Sequence, residues 1–141
     1  MARIPYATPE EIARVMPMKM PAGPSNISGL MAQAPGNCRQ LSEFLVSLLS
    51  QQQLAPRLRE LCILYTAKLS NCTYEWTQHV SIAAATGVDE AEIAKIRTAD
   101  MPEELFEEPA RSALMLCREL VTIHSARGET VERAQKELGT R

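Results

Sequence analysis

With 141 residues, 45% of them hydrophobic, the chain is long enough to bury one core and too short for two ordinary domains. A formal net charge of −2, with 15 Lys and Arg against 17 Asp and Glu and no basic cluster, excludes the electrostatic footprint of a nucleic-acid binder. No apolar run reaches the roughly 18 to 20 residues of a membrane span and no basic segment followed by an apolar stretch opens the chain, so a soluble cytoplasmic protein without a membrane partner is expected.

Taken in chain order, Pro5, Pro9, Pro17, Pro21 and Pro24 crowd the start and leave room for one short helix, Glu10 to Val15. Residues 1–25 are therefore expected to form a proline-rich arm laid on something else, and residues 26–141 a single all-helical domain. Met16, Met18, Met20 and Met31 suit apolar surface at a packing interface. Ile27 to Ala34, stopped by Pro35 and Gly36, and Asn37 to Gln51, with Leu41, Phe44, Leu45, Leu48 and Leu49 at helical spacing, are predicted as ordinary amphipathic helices.

The next predicted helix opens at Pro56, runs to about Leu69 and is apolar on every side, which marks it as buried. Ser70 and Asn71 are the candidate N-caps of a helix running to about Thr86 and closed by Gly87. Asp89 caps a short helix to about Thr98, residues 102–108 are acidic and broken, and Pro109 starts a long helix predicted to end near Gly128. Thr130 to Leu138 is a last amphipathic piece. No segment alternates with period two, so the fold class is all-α, with about six to eight helices.

The chemistry concentrates between Asn71 and His79. At about 100° per residue, Cys72, Glu75 and His79 fall in a sector of about 60° on one predicted helix. A Glu75–His79 pair alone is an ordinary solvated i, i+4 contact. Its helix is otherwise largely apolar, so the polar strip is expected to line a pocket, with Tyr74, Trp76 and Ala83 as candidate lining residues. Cys72 reads either as a small buried hydrophobe or as a thiol favoured toward thiolate by the helix N-terminus.

Glu60 sits in the middle of the all-round apolar helix, where an ionised carboxylate costs several kcal/mol unless partnered. Its partner is Arg57 or Arg59, or the imidazole of His79 on the neighbouring helix, whose tautomer it would then fix. Cys, Glu and His can all bind zinc, but the paired spacing of a structural zinc site is missing, and neither a metal nor a cofactor is expected. His124, predicted on the long helix with Cys117, Leu120 and Val121, reads as a core histidine. Cys38, Cys62, Cys72 and Cys117 are spread along a chain that needs no staples and are read as free thiols.

Three stretches, Arg3-Ile4-Pro5-Tyr6, Arg57-Leu58-Arg59-Glu60-Leu61-Cys62-Ile63-Leu64, and Tyr74-Glu75-Trp76 with His79 and an Ala-rich run to Gly87, resemble the carboxymuconolactone decarboxylase and alkyl hydroperoxidase D-like superfamily. The likeness covers most of the chain. It implies an all-α bundle whose two-helix core hairpin carries the site, assembled as a homo-oligomer, a trimer or hexamer. In the hydroperoxidase branch a Cys-x-x-Cys pair works with a glutamate twelve residues before the first cysteine and a histidine four after the second. Glu60, Cys72 and His79 match those positions, and Glu75 replaces the resolving cysteine. The decarboxylase branch resembles a carboxylate and a histidine four residues apart, which Glu75 and His79 provide. A further departure lies at the C-terminus, where longer relatives continue with another apolar helix, so either a truncated form or cover by the oligomer is expected.

The resemblance implies a cofactor-independent enzyme of the decarboxylase type acting on a small organic acid or lactone, with His79 as proton donor, Glu60 as its orienter and Glu75 as a second acid/base. The alternatives are a thiol peroxidase using Cys72 and a non-catalytic oligomeric binding protein.

Overall fold

The computed structural model describes residues 4–16 and 25–140. Arg3, Met18 and Met20, singled out above, lie outside the described residues. Among those described, the chain is all-helical, with eight α-helices, one 3-10 turn and no strand. None of these helices is long and apolar enough to cross a membrane. The chain divides into two compact units, Met1–Gln52 and Gln53–Arg141.

The first unit holds α1 (Pro9–Val15), α2 (Asn26–Met31) and α3 (Pro35–Ser50). Thr8 and Glu11 form a reciprocal capping box at the start of α1, with Pro9 in the first turn where its missing N–H costs nothing. The arm is anchored rather than free: α1 packs on α2 and α3, and the Ala7 N–H donates to the Gly29 carbonyl at 3.1 Å. Gly29 is needed there, because a Cβ would lie 3.0 Å from the Cβ of Tyr6. Pro35 does not merely stop α2; it occupies the first turn of α3, which begins two residues earlier than its apolar spacing indicates. Nor is α3 an ordinary amphipathic helix. Cys38 and Ser42 are buried while Leu41, Phe44, Leu48 and Leu49 are exposed.

The second unit is built on α4 (Pro56–Leu69), which packs against α5 (Thr73–Ala85), α6 (Glu90–Thr98) and α7 (Ala110–Thr122). Leu61, Leu64 and Tyr65 of α4 are fully buried, in a core completed by Ala83, Val88, Ile93, Ile96, Phe106 and Leu114. From Arg57 to Leu69 no residue of α4 is exposed, as its all-round apolar composition predicts.

The α4–α5 hairpin turns on Asn71. Ser70 and Asn71 do not cap α5; they end α4. Asn71 is left-handed (φ 51°), its N–H donates to the Lys68 carbonyl at 3.0 Å, and the Cys72 N–H donates to the Ala67 carbonyl at 2.8 Å. This is a Schellman closure with asparagine in the place usually held by glycine. The same closure ends α5, where Gly87 (φ 91°) and Val88 donate to the carbonyls of Ala84 and Ala83. Asp89 and Glu92 cap α6 reciprocally. The 3-10 turn Pro102–Leu105 supplies buried Glu103, which accepts from the Tyr65 hydroxyl at 2.8 Å and pairs with Arg118.

The long helix is shorter than its periodicity suggests. It ends at Thr122, and Gly128 starts α8 (Gly128–Leu138) instead of closing α7. His124 therefore lies beyond the helix, left-handed (φ 56°) and exposed, not in the core. Glu119 ties the two helices by accepting from the Arg127 N–H at 2.8 Å and from the Thr130 hydroxyl at 3.0 Å.

Candidate active site

The side chain of Glu60 is 1% exposed, and both of its oxygens are engaged. Arg59 Nε–H donates to Oε1 at 3.0 Å, and Nδ1 of His79 lies 2.7 Å from Oε2. Of the three partners considered from the sequence, Arg59 and His79 are present, while Arg57 pairs with Glu92. A buried carboxylate held by a guanidinium is an acceptor, so Nδ1 of His79 carries the hydrogen and donates it. That leaves Nε2 facing Oε1 of Glu75 at 3.3 Å, one helical turn back on α5.

The imidazole is thereby clasped between two carboxylates, an inner one sealed in the core and an outer one whose side chain is 45% exposed. Glu60 thus fixes the ring from behind, and Nε2 is left within ion-pair distance of Glu75.

Glu75 opens onto a cavity of about 230 Å³ whose other walls are Leu54, Arg59, Cys62, Ile63 and Thr66. Four of these come from α4 at positions 59, 62, 63 and 66, the i, i+3, i+4, i+7 stripe of one helical face. Cys62, Ile63 and Thr66 escaped the sequence reading, although their spacing from Arg59 was the available signal.

Cys72 lines a different cavity, of about 330 Å³, together with Lys68, Asn71, Trp76 and Arg97. Its backbone (φ −91°, ψ 86°) is that of the non-helical residue preceding α5, so the helical wheel that placed it beside Glu75 and His79 does not apply to it. Trp76 borders this second cavity with the Arg97 guanidinium 5.1 Å from its ring centroid. Tyr74 is half-buried and lines neither cavity, and Ala83 is fully buried in the core. Among the described residues no three His, Cys, Asp or Glu side chains converge as a metal site would require.

The profile of the carboxymuconolactone decarboxylase family matches residues 35–108, more than half of the chain, taking in α4, α5 and all four of Arg59, Glu60, Glu75 and His79. The chain belongs to this family. No curated protein and no solved structure matches it significantly.

Proposed function

We propose that the protein is a cofactor-independent enzyme that performs proton transfer coupled to decarboxylation of a small organic acid or lactone. The observation that carries this reading is the imidazole of His79 held between Glu60 at 2.7 Å and Glu75 at 3.3 Å, with Glu75 on the cavity wall. When the C–C bond to the departing CO2 breaks, its electron pair moves into a neighbouring carbonyl and the carbon must then take up a proton. Glu75 delivers that proton to the substrate, His79 resupplies Glu75 through Nε2, and Glu60 holds the ring in the productive tautomer. Arg59, on the same wall, places positive charge where an anionic substrate and a developing enolate oxygen would lie. The volume suits a small acid rather than a drug-sized ligand.

The exposed stripe of Leu41, Phe44, Leu48 and Leu49 on α3 supports assembly as a homo-oligomer, and the resemblance favours a trimer or hexamer. Cys72, on a separate cavity, has no role in this scheme.

A screen of small lactones and keto acids, followed by single substitutions, tests the reading. Proton transfer through His79 predicts that His79→Ala loses on the order of 10²-fold or more in kcat while Cys72→Ser stays within about tenfold. Loss of all activity in Cys72→Ser, with peroxide-dependent sulfenic acid on the native thiol, would replace it with the peroxidase reading. Indifference to both substitutions would leave a binding protein of the same fold.

A further inference from the structure

Two cavities border the α4–α5 hairpin, and no residue lines both. The larger, of about 330 Å³, carries positive charge. Lys68, in the last turn of α4, and Arg97, in the last turn of α6, both line it, and no Asp or Glu does. Among the described residues neither cation pairs with a carboxylate. The Lys68 ammonium donates to the Ala99 carbonyl, and the Arg97 guanidinium lies over the indole of Trp76, 5.1 Å from the ring centroid. Neither contact exhausts its side chain. An ammonium keeps further N–H donors after one is engaged, and stacking covers a face of the guanidinium while its N–H fork lies in the plane. In a chain of net charge −2, two positive charges without a carboxylate counterpart thus converge on one cavity.

The rest of the wall adds to the same preference. Asn71 and Thr73 supply neutral polar groups, and Trp76, partly buried against the core, supplies an aromatic surface. The N-terminus of α5 also borders the cavity, through Cys72 and Thr73, and Cys72 makes no side-chain capping bond there. Its partial positive charge adds to that of the two cations. Glu75, the one carboxylate in that first turn, opens onto the other cavity.

We propose that this cavity binds a small phosphate monoester bearing a planar organic group. Two cations and a helix N-terminus, supplied by α4, α6 and α5, suit a dianionic head group. Donors from three elements match the three terminal oxygens of a tetrahedral phosphate better than the two of a flat carboxylate. The planar group lies against Trp76, and the volume admits a ligand of that size. Binding involves no covalent step and does not use the sulfur of Cys72. It is separate from the Glu75 cavity and does not depend on the decarboxylase reading.

Trp76 is the only tryptophan in the chain, so its emission reports on this cavity alone. The test titrates the full chain with phenyl phosphate. The expected result is a saturable change in Trp76 emission that weakens with added salt, accompanied by slower alkylation of Cys72 by iodoacetamide, mapped by mass spectrometry. Lys68→Gln and Arg97→Gln should each weaken binding on the order of tenfold or more, and Arg97→Lys, which keeps the charge, by less. Protection of Cys72 reads binding in the Arg97 variants, whose indole has lost its guanidinium, and circular dichroism checks that they remain helical. Inorganic phosphate, lacking the planar group, should bind more weakly than phenyl phosphate. The proposal is overturned by the absence of a saturable response at millimolar phenyl phosphate, or by unchanged binding in both glutamine variants. It is equally overturned if phthalate or inorganic phosphate binds as tightly as phenyl phosphate.

Discussion

Replacing Glu60 with glutamine keeps the shape of the side chain and removes its charge. Glu60 is 0% exposed and accepts from two donors, Arg59 Nε–H at 3.0 Å and His79 Nδ1–H at 2.7 Å. Glutamine has one acceptor oxygen, so whichever donor it satisfies, its own NH2 group faces the other donor. The loss is one charge-assisted hydrogen bond plus the penalty of a buried donor left unmade, together about 2–4 kcal/mol. For a chain of this length that corresponds to a fall in Tm of roughly 6–15 °C. The control is Glu75→Gln, whose half-exposed i, i+4 pair with His79 contributes at most about 0.5 kcal/mol. Differential scanning calorimetry at neutral pH measures both. Long-range nitrogen NMR of the His79 ring reports the tautomer, which should be pinned with hydrogen on Nδ1 in the native protein and released in Glu60→Gln. A Glu60→Gln melt within 2 °C of the native protein, or a loss no larger than that of Glu75→Gln, would refute the buried relay.

Three further outcomes follow from the same contacts. Asn71→Val should destabilise by about 1–3 kcal/mol, because a β-branched residue resists the left-handed turn, while Asn71→Gly should be neutral or slightly stabilising; equal effects in thermal melts would contradict the Schellman closure. Glu119 lies below its ordinary carboxylate value, chiefly through the Arg127 N–H it accepts, so its stabilising effect is full above the unfolded value near 4.3 and is lost as pH falls through the depressed folded value. Glu119→Gln should therefore flatten the dependence of Tm on pH below about 5, and an unchanged acid limb would count against it. Phe44→Glu with Leu48→Glu should drive an oligomer toward the monomer mass of 15.6 kDa in light scattering, and the proposed assembly fails if the native chain already has that mass.

What was legible in the sequence was what local chemistry enforces. Pro56 and a helix apolar on every side define α4, and the glutamate inside it demands a partner, which narrows the candidates to Arg57, Arg59 and His79; the structure supplies the last two. The misplaced caps and the overlong α7 share one physical origin, the ambiguity of helix ends. Ser and Asn are good N-caps, but Asn also tolerates the left-handed conformation, and here the second property decides. Leu120, Val121 and Ile123 continue the helical spacing of α7, yet Leu120 and Ile123 are exposed and exert no hold on the chain, which turns at His124.

Position 75 ties the helix ends to the chemistry. In the hydroperoxidase pattern that this stretch resembles, a resolving thiol stands there and the proton relay serves sulfur. With Glu75 in its place, Nε2 of His79 meets a carboxylate at 3.3 Å, and that carboxylate faces a cavity walled by α4. Cys72 meanwhile sits before the first turn of α5, where the tight closure at Asn71 directs it to the Lys68 and Arg97 side of the hairpin. The same tight turn that lets α4 and α5 bring Glu60 within 2.7 Å of His79 therefore parts the thiol from the cavity that Glu75 serves. The carboxylates about His79 at one cavity and the thiol of Cys72 at the other are what support the proposed proton transfer ahead of Cys72-based peroxide reduction.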